Sequence, residues 1–153
     1  MKGLEVISNL KPRISYGVTG NQDGIGVYPA YALLGTKGYS IGGTKVTGYV
    51  PTQVANTKLK WETTTQYDAG IDIGFFNNRL NFVVDAYYKK TRDLLLEVTI
   101  PATSGFTKGL KNIGEVENKG IELAINATPV AGAFTWHTGL NITFNRNKVK
   151  DLG

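Results

Sequence analysis

The sequence predicts an all-β chain, an antiparallel up-and-down meander of strands. Three observations carry this. Apolar and polar residues alternate with period 2 over long stretches. Turn signals, Asn-Asn and a Pro-to-Gly segment, separate consecutive stretches. The composition suits strands and turns: 19 Gly, 17 Thr, 12 Asn and 8 Tyr stand against one Met in 153 residues.

The first strand lies near the N-terminus, where Ile14, Tyr16 and Val18 alternate with Arg13, Ser15, Gly17 and Thr19. A long connection follows over roughly residues 20–62. Tyr39 to Ile41 and Lys45 to Val50 have β character within it, and an up-and-down path requires an even number of strands there. The next strand sets Tyr67, Ala69, Ile71, Ile73 and Phe75 against Asp68, Gly70, Asp72 and Gly74. Its successor sets Leu80, Phe82, Val84, Ala86 and Tyr88 against Asn81, Val83, Asp85, Tyr87 and Lys89. Asn tolerates positive φ, so Asn77-Asn78 suits a two-residue type I′ turn between them. Pairing Phe76 with Arg79 then sets Ile73 against Phe82, Ile71 against Val84 and Tyr67 against Tyr88. Both apolar sets fall on one face, and a slip of one residue would break the match.

A second long connection spans roughly residues 93–118. Beyond it Ile121, Leu123, Ile125 and Ala127 alternate with Glu122, Ala124, Asn126 and Thr128. Pro129 to Gly132 form a short turn. The returning strand sets Phe134, Trp136, Thr138, Leu140, Ile142 and Phe144 against Thr135, His137, Gly139, Asn141, Thr143 and Asn145. Five strands follow from these patterns, about five to seven with the long connections.

Composition excludes several functions. Zero Cys removes disulfides, thiolate metal sites and cysteine nucleophiles, and one His rules out a two-histidine mechanism. The longest apolar run, Ala30 to Leu34, is far short of the roughly 20 residues of a spanning helix. Met1-Lys2-Gly3-Leu4-Glu5-Val6 lacks a secretory leader pattern. The net charge of +5 is dispersed, so no nucleic-acid interface is expected. No composition shift marks a domain boundary, and residues 1–153 read as one region.

One apolar and one polar face suits two architectures: half of a soluble β-sandwich, or the wall of a transmembrane β-barrel. Three features favour the barrel. The alternating stretches run for about 9 to 13 residues, enough to cross an outer membrane when tilted. Short turns lie at one end and long loops at the other. Aromatics form two levels: Phe75, Phe82, Phe134 and Trp136 near the short turns, and Tyr67, Tyr88 and Phe144 near the long loops. The lumen-facing set is then Asp68, Asp72, Asp85, Glu122, Asn126, His137 and Asn141. Lys58, Lys60, Lys89, Lys90, Arg92, Lys119, Arg146, Lys148 and Lys150 fall at the long-loop end, against Lys11, Arg13 and Arg79 at the other. That rim is expected to meet lipid and the phosphates of lipopolysaccharide.

No enzymatic chemistry or cofactor is expected. Gly38 to Lys45 has the order Gly-Thr-Lys rather than Gly-Lys-Thr, with no following helix, so it reads as a flexible loop rather than a phosphate cradle. Gly20 to Gly24 lacks the spacing of an EF-hand and reads as a turn. Asp72 and Asp85 share a face, yet barrel lumens carry many carboxylates. His137 reads as a hydrogen-bonding lumen residue. Tyr28, Tyr31, Tyr39, Tyr49 and Trp61 are the candidates for ligand or lid contact, because aromatic faces stack on sugar rings and peptide side chains. Packing within their own loop is the competing reading.

Six stretches, in order, resemble the SusC/RagA family of TonB-linked outer-membrane transporters. They are Ser15 to Gln22, Leu59 to Thr64, Gly74 to Leu80, Tyr87 to Leu95, Pro101 to Phe106 and Asn112 to Gly120. The resemblance implies a large single-chain barrel with an N-terminal plug, importing glycans, peptides or similar nutrients. It also implies an outer-membrane location, a SusD-like surface lipoprotein as lid, and the TonB complex as energy source. No plug, TonB-contacting segment, signal peptide or closing strand is recognisable, so a partial barrel belonging to a longer transporter is expected. An open sheet in a bilayer would leave edge N–H and C=O groups unpaired. The alternative of a different class is a soluble β-sandwich module that binds carbohydrate.

Overall fold

The computed structural model describes residues 6–26 and 28–152. The N-terminal segment read above as lacking a leader lies outside the described residues, apart from Val6. The strands are β1 (Ile7–Asn21), β2 (Leu34–Ile41), β3 (Thr44–Pro51), β4 (Glu62–Phe75), β5 (Leu80–Arg92), β6 (Leu95–Thr99), β7 (Lys108–Asn112), β8 (Glu115–Val130) and β9 (Trp136–Asp151). A 3-10 turn occupies Ala102–Ser104. One sheet has the order β1-β4-β5-β8-β9, while β2-β3 and β6-β7 are two-stranded sheets. The chain divides into two compact units. The first comprises Met1–Thr19, Thr64–Lys90 and Val116–Lys150; the second comprises Gly20–Thr63, Thr91–Glu115 and Asp151–Gly153.

The first unit holds most of the five-stranded sheet, and its strands are the five that alternation predicts. Ring contacts report their alignment. The Tyr67 and Tyr88 rings lie 6.4 Å apart, where the expected pairing sets them opposite each other. Tyr16 extends the row at 5.0 Å from Tyr67. Phe75 meets Phe82 edge-on at 5.9 Å. Tyr16, Tyr67 and Tyr88 thus share one face, as a period of two requires.

The turn from β4 to β5 closes through the Phe76 carbonyl, which accepts from the Arg79 N–H at 3.2 Å. Asn77 and Asn78 take φ of 56° and 60°, the left-handed geometry expected of them. Phe76 joins them at φ 53°, which the sequence did not announce. Its N–H donates to the Val6 carbonyl at 3.3 Å, tying the turn to the chain beside β1.

The turn from β8 to β9 is displaced from its predicted position. Pro129 lies inside β8, which runs to Val130, and β9 begins at Trp136. Phe134 therefore sits in the connection rather than on the strand, and it is exposed. The reason is Arg79. Its carbonyl accepts from the Thr128 N–H at 2.7 Å, and its guanidinium donates to the Thr128 and Pro129 carbonyls at 3.3 and 2.9 Å. Those bonds hold the end of β8 extended through a proline that cannot donate for itself. At the other end, β8 starts at Glu115, inside the stretch read as loop to residue 118.

Among the described residues no hydrophobic side chain is fully buried. The sandwich alternative required Ile71, Val84, Leu123 and Leu140 to pack beneath a second sheet. The first three are half-buried and Leu140 is 54% exposed, so that alternative fails. In a soluble protein burial of such side chains is the main source of stability. Here the apolar face of the first unit is uncovered: Ile14, Ile121 and Phe144 are 88%, 54% and 70% exposed.

The second unit contains two hairpins. β2 and β3 pair antiparallel from Leu34↔Pro51 to Ile41↔Thr44, the even insertion expected in the first long connection. They close on Gly42 and Gly43, whose φ of 57° and 83° a side-chain-bearing residue rarely adopts. The Gly38 to Lys45 stretch is thus hairpin. β6 and β7 pair from Leu95↔Asn112 to Thr99↔Lys108. They bring the strands among the described residues to nine, above the five to seven expected. At five residues each they are too short to show a period.

Candidate functional site

The polar face of the first unit is a connected surface. Arg13, on β1, reaches across β4 to β5. Its Nη2 donates to both oxygens of Asp85, at 2.9 and 3.1 Å. The same nitrogen lies 3.0 Å from Asp72 Oδ1. That second contact is electrostatic only: Asp72 Oδ1 is secluded and has no hydrogen-bond partner among the described residues. Further along, Asp68 accepts from Ser15 Oγ and from Gln66 Nε2, both at 2.9 Å. Three of the predicted lumen carboxylates are therefore engaged with β1 or β4.

The predicted His137 meets Thr128, which is not among the predicted site residues, on the same face of β8 and β9. Thr128 Oγ1 and His137 Nδ1 are 2.9 Å apart, beside a recess of about 310 Å³ that Asn81, Asn126 and Gly139 also line. Glu122 and Asn141 are exposed and join neither group.

Glycines on this face act as seats for side chains from neighbouring strands. Asp85 lies over Gly70, in the space a Cβ would take. Asn78 fills the space of a Cβ on Gly74 with Asn81 Oδ1 next at 3.0 Å, and Asn126 Oδ1 lies 3.0 Å from where a Cβ on Gly139 would be. At Gly120 the Phe144 carbonyl oxygen at 2.6 Å and the Tyr87 ring at 2.7 Å both crowd the place of a Cβ.

Arg13 is the residue sequence reasoning missed. Its position groups it with the basic residues of the short-turn end, although it alternates in phase with Ser15. That phase placed it opposite the β4 carboxylates.

In the second unit the five aromatic candidates separate. The Tyr39 ring lies against Gly48 across the β2–β3 pair, and the Trp61 ring against Gly20. Those two pack within their own unit. Tyr28 and Tyr31 form a tilted pair at 6.4 Å, and Gln53 Nε2 holds both their carbonyls, at 2.9 and 2.8 Å. Tyr49 is 74% exposed. Asn21 Oδ1 accepts from the Asp23 N–H at 3.0 Å and its Nδ2 donates to Glu62, so the oxygen-rich Gly20 to Gly24 segment is a turn.

A cleft of about 560 Å³ lies in this unit between the 56–60 and 111–113 segments. Asn112 builds it: its Oδ1 accepts from the Lys60 N–H at 2.7 Å, and its Nδ2 donates to the Lys60 and Asp93 carbonyls at 2.7 and 2.8 Å. Lys58, Lys60 and Lys111 line it with Asp93. On β6–β7, Lys108 pairs with Glu97 at 2.8 Å. That hydrogen bond, with the charge of Glu97, raises the Lys108 pKa above its ordinary 10.5.

The basic residues expected at one rim do not form one group. Lys58 and Lys60 line the cleft of the second unit. Arg92 pairs with Glu115 there at 3.4 Å. In the first unit Lys119, Arg146, Lys148 and Lys150 gather around Glu117, which Lys90 also approaches at 4.0 Å.

Comparison with known proteins agrees with this architecture. The family described as TonB dependent receptor-like, beta-barrel, matches residues 4–153. The chain is 41% identical to TonB-dependent receptor P26 of Formosa agariphila, covering all of this chain and 16% of that protein. It is 39% identical to TonB-dependent receptor SusC of Bacteroides thetaiotaomicron, over 99% of this chain and 16% of SusC. Among solved structures it matches the RagAB peptide transporter with a TM-score of 0.82, at 32% identity over 99% of this chain and 16% of that one. The 'open-open' state of the RagAB peptide importer gives a TM-score of 0.84 over 97% of this chain. The chain thus spans about one sixth of the length of these relatives.

Proposed function

The chain belongs to the TonB dependent receptor-like β-barrel family, and on that premise we propose that it builds part of the wall and loops of an outer-membrane importer. The cargo is an oligomeric nutrient, a glycan or a peptide. A SusD-like surface lipoprotein serves as lid and the TonB complex supplies the energy. One observation supports the wall role above the others: a five-stranded sheet carries an interlocked polar face and an apolar face with no buried side chain. Water on one side and hydrocarbon on the other satisfy both. β1 and β9 are the edges of that sheet, and in a bilayer their outer N–H and C=O groups must pair with further strands.

In this reading Asp68, Asp72, Asp85, Glu122, Asn126, His137 and Asn141 line the lumen. Tyr28, Tyr31 and Tyr49 are the loop aromatics free to meet cargo or lid, while Tyr39 and Trp61 hold their own loops. The test is membrane partition. The protein is expected in the outer-membrane fraction, extractable only by detergent and compact by heat-modified gel mobility. A cooperative monomer that stays soluble without detergent would overturn the reading.

A further inference from the structure

The cluster around Glu117 has a placement that its composition alone does not explain. Glu117 and Lys119 on β8, and Arg146, Lys148 and Lys150 on β9, line one cleft of about 250 Å³. Glu117 Oε1 accepts from the Tyr88 hydroxyl at 2.9 Å, and Tyr88 belongs to the aromatic row of Tyr16 and Tyr67. The cluster therefore lies on the apolar face. Along β9 it continues the same row, by twos, from Leu140, Ile142 and Phe144 into Arg146, Lys148 and Lys150.

Charge and height fit one another. Glu117 holds Lys150 at 3.6 Å and Lys90 at 4.0 Å. Lys119, Arg146 and Lys148 make no ion pair among the described residues, so positive charge is in excess beside an exposed apolar surface. From Trp136 to Arg146 the strand rises about 33 Å, or about 25 Å along the membrane normal at a tilt of about 40°. That is the height of the apolar band of an outer-membrane barrel, with the cations where headgroups begin. Long cationic side chains beyond an aromatic row extend to that level.

We propose that Lys119, Arg146, Lys148 and Lys150, organised by Glu117, bind a phosphate group carried on a lipid headgroup of the surrounding leaflet. The proposal rests on the barrel reading, since the cleft faces lipid only if the sheet is a membrane wall. Arg146 supplies a planar donor pair for two phosphate oxygens and the lysines supply point charges. Lipid is favoured over free phosphate because the cleft opens on the same face as Ile121 and Phe144, with no polar wall opposite.

The experiment uses the protein in its full chain, purified from outer membranes in detergent. Binding of bisphosphorylated lipid A, its dephosphorylated form and inorganic phosphate is measured by native mass spectrometry and by titration in mixed micelles. The expected result is retention of the phosphorylated lipid over the dephosphorylated one. The pair Arg146→Gln and Lys148→Gln should weaken it roughly thirtyfold, with unchanged heat-modified mobility. Lys148→Gln alone provides the reading should the double variant fail to fold. Equal retention of both lipids, or inorganic phosphate competing as well as lipid, would overturn the proposal while leaving the barrel intact. A protein that needs no detergent would instead overturn the barrel reading beneath it.

Discussion

Asp85 lies across Gly70 on the neighbouring strand, occupying the space a Cβ would need, and Arg13 Nη2 grips it there through both carboxylate oxygens. The two residues face each other in the register that the Asn77-Asn78 turn dictates. Gly70→Ala should therefore push Asp85 off Arg13, at a cost of roughly 1–2 kcal/mol. In an Asp85→Ala background the same change should cost much less. A double-mutant cycle on unfolding in detergent and urea measures the coupling, and additive effects would refute it.

Arg13 also stands 3.0 Å from Asp72. Arg13→Ala leaves two carboxylates on adjacent strands without their shared cation. Both are partly exposed, so the loss should be modest, on the order of 1 kcal/mol. It should shrink as added salt screens the charges. Stability of Arg13→Ala against the parent, measured at low and high salt, checks this; a salt-independent difference would show that the guanidinium acts through packing alone.

The β4–β5 turn holds Phe76, Asn77 and Asn78 at positive φ. Asn77→Gly should be neutral or slightly stabilising. Asn78→Val should cost about 1–2 kcal/mol, because a β-branched residue resists that geometry. Refolding into micelles, followed by heat-modified mobility, should be slower for the valine variant and unchanged for the glycine variant.

The loop aromatics should separate by role. Tyr39→Ala removes the ring seated on Gly48, and should raise amide hydrogen exchange along β2 and β3. Tyr31→Ala and Tyr49→Ala should leave exchange alone and lower glycan or peptide affinity several-fold, as loss of a stacking surface does. Reversal of this pattern would move Tyr39 into the ligand surface and Tyr49 out of it.

Lys108 and Glu97 are mostly exposed and their pair is a local clasp on the β6–β7 hairpin. Because the pKa of Lys108 is raised, its contribution is complete below pH 10.5 and fades as pH climbs through the higher folded value. Lys108→Met should change exchange in β6–β7 below that pH and leave it unchanged well above it.

Much of this was legible in the sequence because alternation, turn chemistry and aromatic spacing are local. Tyr67 and Tyr88 can be paired from the sequence, since Asn77-Asn78 fixes the turn and the apolar faces fix the register. What stayed hidden depends on distant partners. Pro129 looked like a turn residue because the turn signal is local, whereas Arg79, 50 residues away, keeps it extended. Arg13 reads as one of three scattered cations at the short-turn end because no local rule names its partners, 59 and 72 residues downstream. The β6 and β7 strands were invisible because five residues do not establish a period.

On the proposed lumen-facing placement of this polar face, the glycine seats bear on permeation. Asp85, Tyr87, Asn81 and Asn126 each recline over a glycine on the adjacent strand rather than standing away from the sheet. A lining laid flat in this way keeps its charge and hydrogen-bonding groups while giving up little of the bore. Filling Gly70 or Gly139 would raise Asp85 or Asn126 into that proposed aqueous path, narrowing it for bulky cargo before it changed the chemistry of the wall.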